Sequence, residues 1–422
     1  MTKLRIIKEN FFNNRKIAEN YFFMTFLQTA NMLIALLLYP YLIRMLGKEA
    51  YGTYVFVLSN IQIFNLVVAF GFDTTLLKQI SMNNDNAEIK SQTFSEIFMA
   101  RIWLFFLCGI IFAALFCIPF VQKNAILYII VFSTTLITIL FPLTYFQALQ
   151  KTKHATYINV TTRVLTIPLI FMFVKSPADL LLYALIVSIL PLCGAFYAFF
   201  YIQFFDKITV RFISPGKLKP VFKESLPFFA TNALDRIKQE SVTFIVGTFL
   251  GMGSVALWDL AHKIVLLPKN FINSINASIF PEVINTLTEE KVRKIFRFNT
   301  IIGISITILV ALCSYFAVLV LGGKQMLAAY PLVIILSTTI YTALLVDCYF
   351  NFVFVPQNRY YLATKNQLVS LLSFLVLAAI GIVFFHNVVF FVVAFTVSCW
   401  VEIVYCRLSP LNPPQGGLER LS

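Results

Sequence analysis

The chain alternates between long apolar runs and short polar connections. Residues 102–120, IWLFFLCGIIFAALFCIPF, carry no charged side chain, and roughly 20 such residues cross the hydrocarbon core of a bilayer as a helix. The same reading of the other runs predicts about twelve transmembrane helices, and hence an all-α integral membrane fold. They are expected near residues 20–45, 50–72, 98–121, 125–149, 155–175, 179–205, 224–250, 253–283, 298–321, 327–354, 362–385 and 387–406.

One polar stretch interrupts this pattern. Residues 230–241 read ATNALDRIKQES, which places Asp235, Arg236, Lys238 and Glu240 within six positions between two apolar runs. The stretch is either a loop at the membrane surface or part of the seventh helix. In the second case the four charges lie inside the membrane.

A short internal repeat favours the second alternative. LGKEAYGTY around Gly47 and LGMGSVALW around Gly251 align at an offset of 204 residues. Transporters are often built from two such halves. If both glycines lie in external turns, only about ten residues separate Ser241 from Gly251, half of the length needed to span a membrane. The seventh helix must then reach back to about Glu224, with the charges inside it.

Composition and charge distribution agree with this topology. Charged residues make up 12% of the 422 residues, against about 25% in soluble domains. Of the 33 Lys and Arg residues, 22 lie on one side of the predicted spans and 5 on the other, and the more positive side faces the cytoplasm. We therefore expect both termini in the cytoplasm and two lobes of six helices, residues 1–206 and 207–422.

Several function classes are disfavoured. The net charge of +14 does not indicate nucleic-acid binding, because the positive residues lie in short loops and form no basic domain. The seven cysteines form no CxxC pair, which gives no metal site, and GxxxxGK(S/T), GxSxG and HExxH motifs are missing. The external loops are too short for an enzyme acting on a sugar chain outside the cell. We predict no catalytic residue, metal or cofactor.

Ionisable side chains inside a bilayer cost about 2.5–3.5 kcal/mol each and usually face a bundle interior or a wet cavity. Spacing lets Asp235 pair with Lys238 and Arg236 pair with Glu240, so these charges either fix helix packing or line a hydrated path. Cations exceed acids within the spans, which favours an anion as cargo, and the Arg fork suits phosphate. The cations are Arg163, Arg236, Lys238, Lys263 and Lys269, and the acids are Asp235, Glu240 and Asp259.

Further polar residues follow the predicted helices. On the first helix, Gln28 and Asn31 recur at three-residue spacing, and on the eighth, Asp259 and His262 begin a polar stripe that continues to Asn273. Arg163 has no acidic neighbour in sequence, so its partner is another helix, a water or a substrate anion. By contrast, Arg101, Glu282, Asp347 and Glu402 lie nearer the predicted helix ends, where we expect the side chains to snorkel.

The stretches YPYLIRMLGKEAYGTYVF (39–56) and LDRIKQESVTFIVGTFLGMGSVALWDLAHKI (234–264) resemble the polysaccharide repeat-unit flippases. These belong to the multidrug/oligosaccharidyl-lipid/polysaccharide exporter superfamily. The resemblance covers nearly the whole chain. It implies two lobes in a V around a central cationic cavity, with alternating access to the two sides of a bacterial inner membrane.

The resemblance also implies a substrate, an undecaprenyl-diphosphate-linked oligosaccharide, and assigns roles to residues. Coupling to H⁺ or Na⁺ is left open, with Asp235, Asp259 and His262 as candidates. Membrane lipids and the polysaccharide polymerase machinery are the expected partners, and nucleic acid is not. The residues expected to contact the anionic head group are Arg163, Arg236, Lys238, Lys263, Lys269, Gln28 and Asn31.

Three alternatives are weighed against the flippase. A multidrug cation antiporter of the same superfamily would prefer an acidic cavity, whereas the charges within these spans are mainly positive. A membrane polysaccharide polymerase or ligase would need larger external loops. A lipid scramblase or a structural scaffold would not need so many internal charges.

Overall fold

The computed structural model describes residues 2–83, 86–284, 289–354, 356–357 and 359–409, without the side chains of 2–18, 20–21, 271–284, 289, 291 and 360. Every regular element in these ranges is helical. The α-helices are α1 (Thr2–Ala69), α2 (Phe72–Met82), α3 (Ala87–Leu115), α4 (Pro119–Lys123), α5 (Ala125–Phe132), α6 (Thr135–Leu140), α7 (Leu143–Ala148), α8 (Thr152–Phe173), α9 (Leu180–Phe204), α10 (Lys219–Leu250), α11 (Met252–Ile284), α12 (Glu289–Gly322), α13 (Tyr330–Tyr349), α14 (Tyr360–Phe384) and α15 (Val388–Leu408).

The helices confirm an all-α membrane fold. Within the described ranges, nine segments are long and apolar enough to cross a membrane. The first of them, Phe22–Met82, has 61 residues and contains two of the predicted spans. The seventh and eighth spans correspond to α10 and α11, which have 32 and 33 residues. Counted in this way, the helices reach the predicted number of about twelve.

The fourth predicted span departs from a single helix. Its residues form α5, α6 and α7, with breaks at Ser133–Thr134 and at Phe141–Pro142. Proline lacks a backbone N–H and disfavours helical geometry in the residue before it, which accounts for the second break. The first break was not expected, since Ser and Thr are only weakly unfavourable within helices.

The two repeated glycines occupy the turns that the repeat predicts. Gly47 interrupts α1 with φ 72° and ψ 169°, a region that essentially only glycine occupies. Gly251 separates α10 from α11 with φ 86°. α10 runs unbroken from Lys219 to Leu250, so residues 230–241 are helical and the surface-loop alternative is excluded. The helix begins five residues before the predicted start.

The chain divides into two compact units, Met1–Asn232 and Ala233–Ser422. The first turns of α10 pack with the first unit. The Thr75 and Ser225 hydroxyl groups lie 2.8 Å apart, and the Gln79 amide donates to Glu224 at 2.6 Å. These contacts fasten α10 to α2. The division into lobes 1–206 and 207–422 stays a prediction.

The expectation that Arg101 snorkels towards a helix end is wrong. α3 begins at Ala87, 14 residues earlier, which is about 21 Å along the helix. The Arg101 side chain is buried. Its Nη2 donates to the Asp73 carboxylate at 2.8 Å and its Nη1 to the Thr138 carbonyl at 2.9 Å. These partners replace the water that a snorkelling side chain would reach.

Candidate functional site

In the first unit, α8 carries Arg163 on an exposed position. The electrostatic neighbours of the guanidinium are Tyr54 of α1 and Tyr183 of α9. Their rings pack edge to face with centroids 4.9 Å apart. Among the residues that the structure describes, no carboxylate forms an ion pair with Arg163. The arrangement therefore presents an accessible positive charge that no carboxylate of the described residues balances.

The register of α1 against α8 places Asn31 near the level of Arg163. At one end the Thr156 hydroxyl donates to the Phe23 carbonyl at 3.2 Å, and at the other the Tyr41 hydroxyl donates to the Val174 carbonyl at 2.7 Å. Both contacts join residues that are 133 positions apart, so the two helices run side by side in the same direction. The same offset brings residue 163 level with residue 30.

Polar groups around this level lack partners. The amide oxygens of Asn31 and Asn159 are buried and accept no hydrogen bond from the described residues. Gln28 is exposed one turn before Asn31, with an interaction of its own. Buried carbonyl oxygens are rarely left unpaired, so hydroxyl groups of water or of a sugar are suitable partners here.

In the second unit, α10 carries four ionisable side chains, Asp235, Arg236, Lys238 and Glu240. Arg236 Nε lies 3.1 Å from a Glu240 carboxylate oxygen, which confirms the i,i+4 pair. The pair predicted between Asp235 and Lys238 is not formed. Instead, Asp235 accepts a hydrogen bond from the Gln239 amide at 2.8 Å, because i,i+4 spacing brings those two side chains together.

Lys238 points into the second unit. Its ammonium group donates to Ser370 of α14 at 3.0 Å and forms an ion pair with Glu402 of α15. The Ser370 hydroxyl lies 2.7 Å from the same Glu402 carboxylate. Both charged side chains are buried. The predicted head-group contact of Lys238 stays a prediction, and in this conformation the ammonium group is held by Ser370 and Glu402.

The expectation that Glu402 snorkels is wrong. It lies in the interior of α15, six residues before the helix ends at Leu408, and it is the acceptor that balances Lys238. An acidic residue inside an apolar run carries a default expectation of an internal partner. That signal, applied to Glu402, would have predicted a buried cationic partner from the sequence, without identifying the partner as Lys238.

α11 carries the remaining predicted residues. Lys263 Nζ lies 2.7 Å from an Asp259 carboxylate oxygen. The ring of His262 stacks on that of Trp258, with centroids 5.3 Å apart and an interplanar angle of 12°. Lys269 is half-buried. The side chain of Asn273, predicted on the same stripe, lies outside the described residues.

Two ion pairs of the second unit, Arg236–Glu240 and Lys263–Asp259, expose their positive ends. The side chain of Arg236 is 40% exposed and that of Glu240 only 15%. Lys263 and Asp259 repeat this arrangement with 42% and 14%. A partly buried carboxylate thus holds each cation, and the accessible surface consists of N–H donors. Donors of this kind bind phosphate and carboxylate oxygens.

A family described as "Polysaccharide biosynthesis protein" matches residues 17–287. The chain belongs to this family. A protein of Escherichia coli (strain K12) described as a putative O-antigen transporter is 23% identical to it over 316 residues, which is 75% of each chain. The resemblance to polysaccharide flippases is thereby confirmed, and the chain is a multi-pass membrane transporter and not an enzyme.

Solved structures support the same fold. A lipid II flippase, MurJ, in an inward closed conformation matches with a TM-score of 0.70 and 14% identity, over 95% of this chain and 89% of that one. A MATE transporter in complex with MaL6 matches with a TM-score of 0.59 and 14% identity, over 93% and 95%. At 14% identity the likeness establishes the fold only. The transported substrate must be inferred from the residues of this chain.

Proposed function

We propose that this protein is a flippase that moves undecaprenyl-diphosphate-linked oligosaccharide units across the bacterial inner membrane by alternating access through a central cationic cavity. The observation that carries the proposal is Arg163, an exposed cation inside a membrane span that has no carboxylate partner among the described residues. A charge in this position is costly unless an anion or water solvates it. A diphosphate supplies that anion.

The head group would bind through several donors. The Arg163 guanidinium can donate two parallel hydrogen bonds to phosphate oxygens, and Arg236, Lys263 and Lys269 add positive charge. The orphan amide oxygen of Asn31 and the exposed side chain of Gln28 suit sugar hydroxyl groups. The lipid tail would stay in the bilayer, because its transfer through a polar path would expose apolar surface.

The energy source is proposed to be a coupled H⁺ or Na⁺ gradient. Asp235, Asp259 and His262 are the candidates, since each is ionisable and lies on α10 or α11 close to the cations. Protonation or Na⁺ binding at Asp259 would weaken its hold on Lys263 and release that ammonium group towards the substrate. The polysaccharide polymerase machinery is the proposed partner that receives the product.

A cationic drug is a less suitable cargo. MATE transporters share the fold, but the exposed ends of the Arg236–Glu240 and Lys263–Asp259 pairs are positive. Like charges repel across a low-dielectric cavity, so a multidrug cation antiporter would be expected to show exposed carboxylates instead.

The test uses a strain in which this protein supplies the only flippase for a surface polysaccharide. Arg163→Ala should abolish the surface polysaccharide while membrane abundance stays unchanged, because the side chain makes no described ion pair. Arg163→Lys keeps the charge without the fork and should retain partial export. Arg44→Ala, at an exposed position in α1, is the matched control. Normal polysaccharide in Arg163→Ala cells would contradict the proposal.

A further inference from the structure

The segment that runs from the end of α9 into the first turns of α10, residues 205–223, concentrates positive charge on the first unit. Between residues 205 and 223 the chain carries five cations, Lys207, Arg211, Lys217, Lys219 and Lys223. All five are exposed. None forms an ion pair with a carboxylate in the described part of the chain.

The nearest acids in sequence are engaged elsewhere. Asp206 forms an ion pair with Lys151 and accepts a hydrogen bond from the Tyr145 hydroxyl at 3.1 Å. Glu224 binds Lys78 at 3.2 Å and the Gln79 amide at 2.6 Å. The positive charge of the segment is therefore left without local compensation.

The segment is held in place by its backbone and its apolar side chains. The Ser95 hydroxyl of α3 accepts a hydrogen bond from the Arg211 N–H at 3.0 Å and lies 3.1 Å from the Thr209 carbonyl. Ile208 and Leu218 are buried in the core of the first unit. Because the anchors lie on both sides of Arg211, the cations project from a fixed base and not from a free loop.

The position of the segment relative to the bilayer follows from α3. A row of exposed apolar side chains at spacings of three and four residues marks the lipid-facing side of this helix. The ring of Phe212 packs against Trp103, with centroids 6.4 Å apart, and Trp103 begins the row. Its members are Trp103, Phe106, Leu107, Ile110 and Ile111.

Phe212 is also exposed, so it extends the apolar row while its neighbour Arg211 lies next to Ser95. Aromatic rings accumulate at the boundary between acyl chains and headgroups, and this pair marks that boundary. The cations beside it then lie at the level of the lipid phosphates, on the side that the charge count predicts to be cytoplasmic.

We propose that the segment 205–223 is a binding site for the headgroups of anionic phospholipids, with Lys207, Arg211 and Lys217 on the phosphates and Phe212 with Trp103 at the acyl boundary. Clusters of four or more Lys and Arg beside a transmembrane helix attract anionic lipids, each cation adding a factor of about five to the affinity. The site shares no residue with the proposed head-group site. Its occupant is a resident lipid of the membrane.

The test compares dissociation constants for phosphatidylglycerol and phosphatidylcholine, measured by native mass spectrometry on the full chain in detergent. The unmodified protein should prefer phosphatidylglycerol. The triple substitution Lys207→Gln, Arg211→Gln, Lys217→Gln should reduce that preference by roughly tenfold to a hundredfold. The matched control Lys48→Gln, Lys123→Gln, Lys175→Gln removes the same charge from other exposed positions of the first unit and should keep the preference.

Two outcomes would overturn the proposal. One is an unchanged preference in the first triple variant. The other is an equal loss in both variants, which would show that net charge alone attracts the lipid. A second measurement needs no substitution: salt screens exposed charges, so the preference of the unmodified protein should weaken strongly in 0.5–1 M NaCl (a Debye length of about 3–4 Å). A preference that persists in that salt would contradict a headgroup site built from surface cations.

Discussion

At the scale of single residues, the internal cations differ in what balances their charge. Lys238 is buried and bound by Glu402 and Ser370, whereas Arg236 and Lys263 are held by a carboxylate one helical turn away and remain half-exposed. Arg163 has no such carboxylate among the described residues. Burial makes a partner obligatory, because an isolated charge in a low-dielectric interior is very costly. Exposure leaves a cation available to the cargo.

The buried pair should be essential for stability. Glu402→Gln leaves the Lys238 ammonium group buried without a counterion, and removal of one partner of such a pair costs about 3–5 kcal/mol. We expect a large fall in the thermal unfolding temperature of the purified protein. Fluorescence-detected size-exclusion chromatography of heated samples measures that temperature. The double substitution Lys238→Met, Glu402→Leu should recover most of it, because hydrophobic replacement of a whole pair is often neutral. A Glu402→Gln variant as stable as the unmodified protein would contradict the Lys238–Glu402 ion pair.

Arg236 should behave differently. The Arg236 side chain is 40% exposed and its partner Glu240 is partly buried, so Arg236→Gln should lower the unfolding temperature far less than Glu402→Gln while polysaccharide export falls. Lys294→Gln breaks a more exposed i,i+4 pair with Glu290, 2.7 Å apart, and is the control for the loss of an ion pair. Equal export in the two variants would remove Arg236 from the proposed substrate path.

At the scale of helices, glycine marks the places where the backbone must leave helical geometry. Gly47 and Gly251 both have positive φ, and their shared offset of 204 residues was visible in the sequence. An added Cβ would meet no atom within 4 Å at either position. The requirement for glycine is therefore conformational and does not come from crowding.

Gly47→Ala should destabilise the protein by about 1–3 kcal/mol, because the observed φ and ψ are strained for any residue with a Cβ. Gly109 in α3 is the matched control. It also has open space around it but lies within a regular helix, so Gly109→Ala should be neutral or stabilise by up to about 1 kcal/mol. Thermal unfolding of both variants provides the measurement, and equal behaviour of the two alanines would refute the argument.

Hydropathy located the helices but not their internal breaks. The sequence predicts that α10 continues through the charged residues 230–241. The reason is that the helix ends at the identifiable turn at Gly251 and must be long enough to cross a bilayer. The break of the fourth span after Phe132 carries no comparable signal, since Ser133 and Thr134 occur widely within membrane helices. Their side chains accommodate the break by donating to the carbonyls of Ile130 and Val131.

At the scale of the whole molecule, the charge distribution predicts the orientation in the membrane. Cysteines that replace Lys123 and Lys324 should react with a membrane-impermeant maleimide in intact cells. Cysteines that replace Lys153 and Lys217 should react only after permeabilisation. The background lacks the seven native cysteines, and a detergent-solubilised sample controls for reactivity. Labelling of position 217 in intact cells would reverse the predicted orientation.

The amino-acid sequence by itself determined the class of fold, the approximate number of helices and the two glycine turns. The physical reason is that bilayer thickness sets the length of a helix, backbone groups in lipid must bond within the helix, and few residues other than glycine adopt positive φ. These constraints act on segments that are continuous along the chain.

Only the tertiary structure decided which acid balances which cation. Lys238 pairs with Glu402, 164 residues away in sequence, although helical spacing predicts a pair with Asp235. Arg101 of α3 pairs with Asp73 of α2, although its position in the predicted span suggests a snorkelling side chain. Electrostatic energy depends on distance in space and on burial, and neither quantity is encoded by spacing along a single helix. That Arg163 has no carboxylate partner among the described residues is a property of the fold for the same reason.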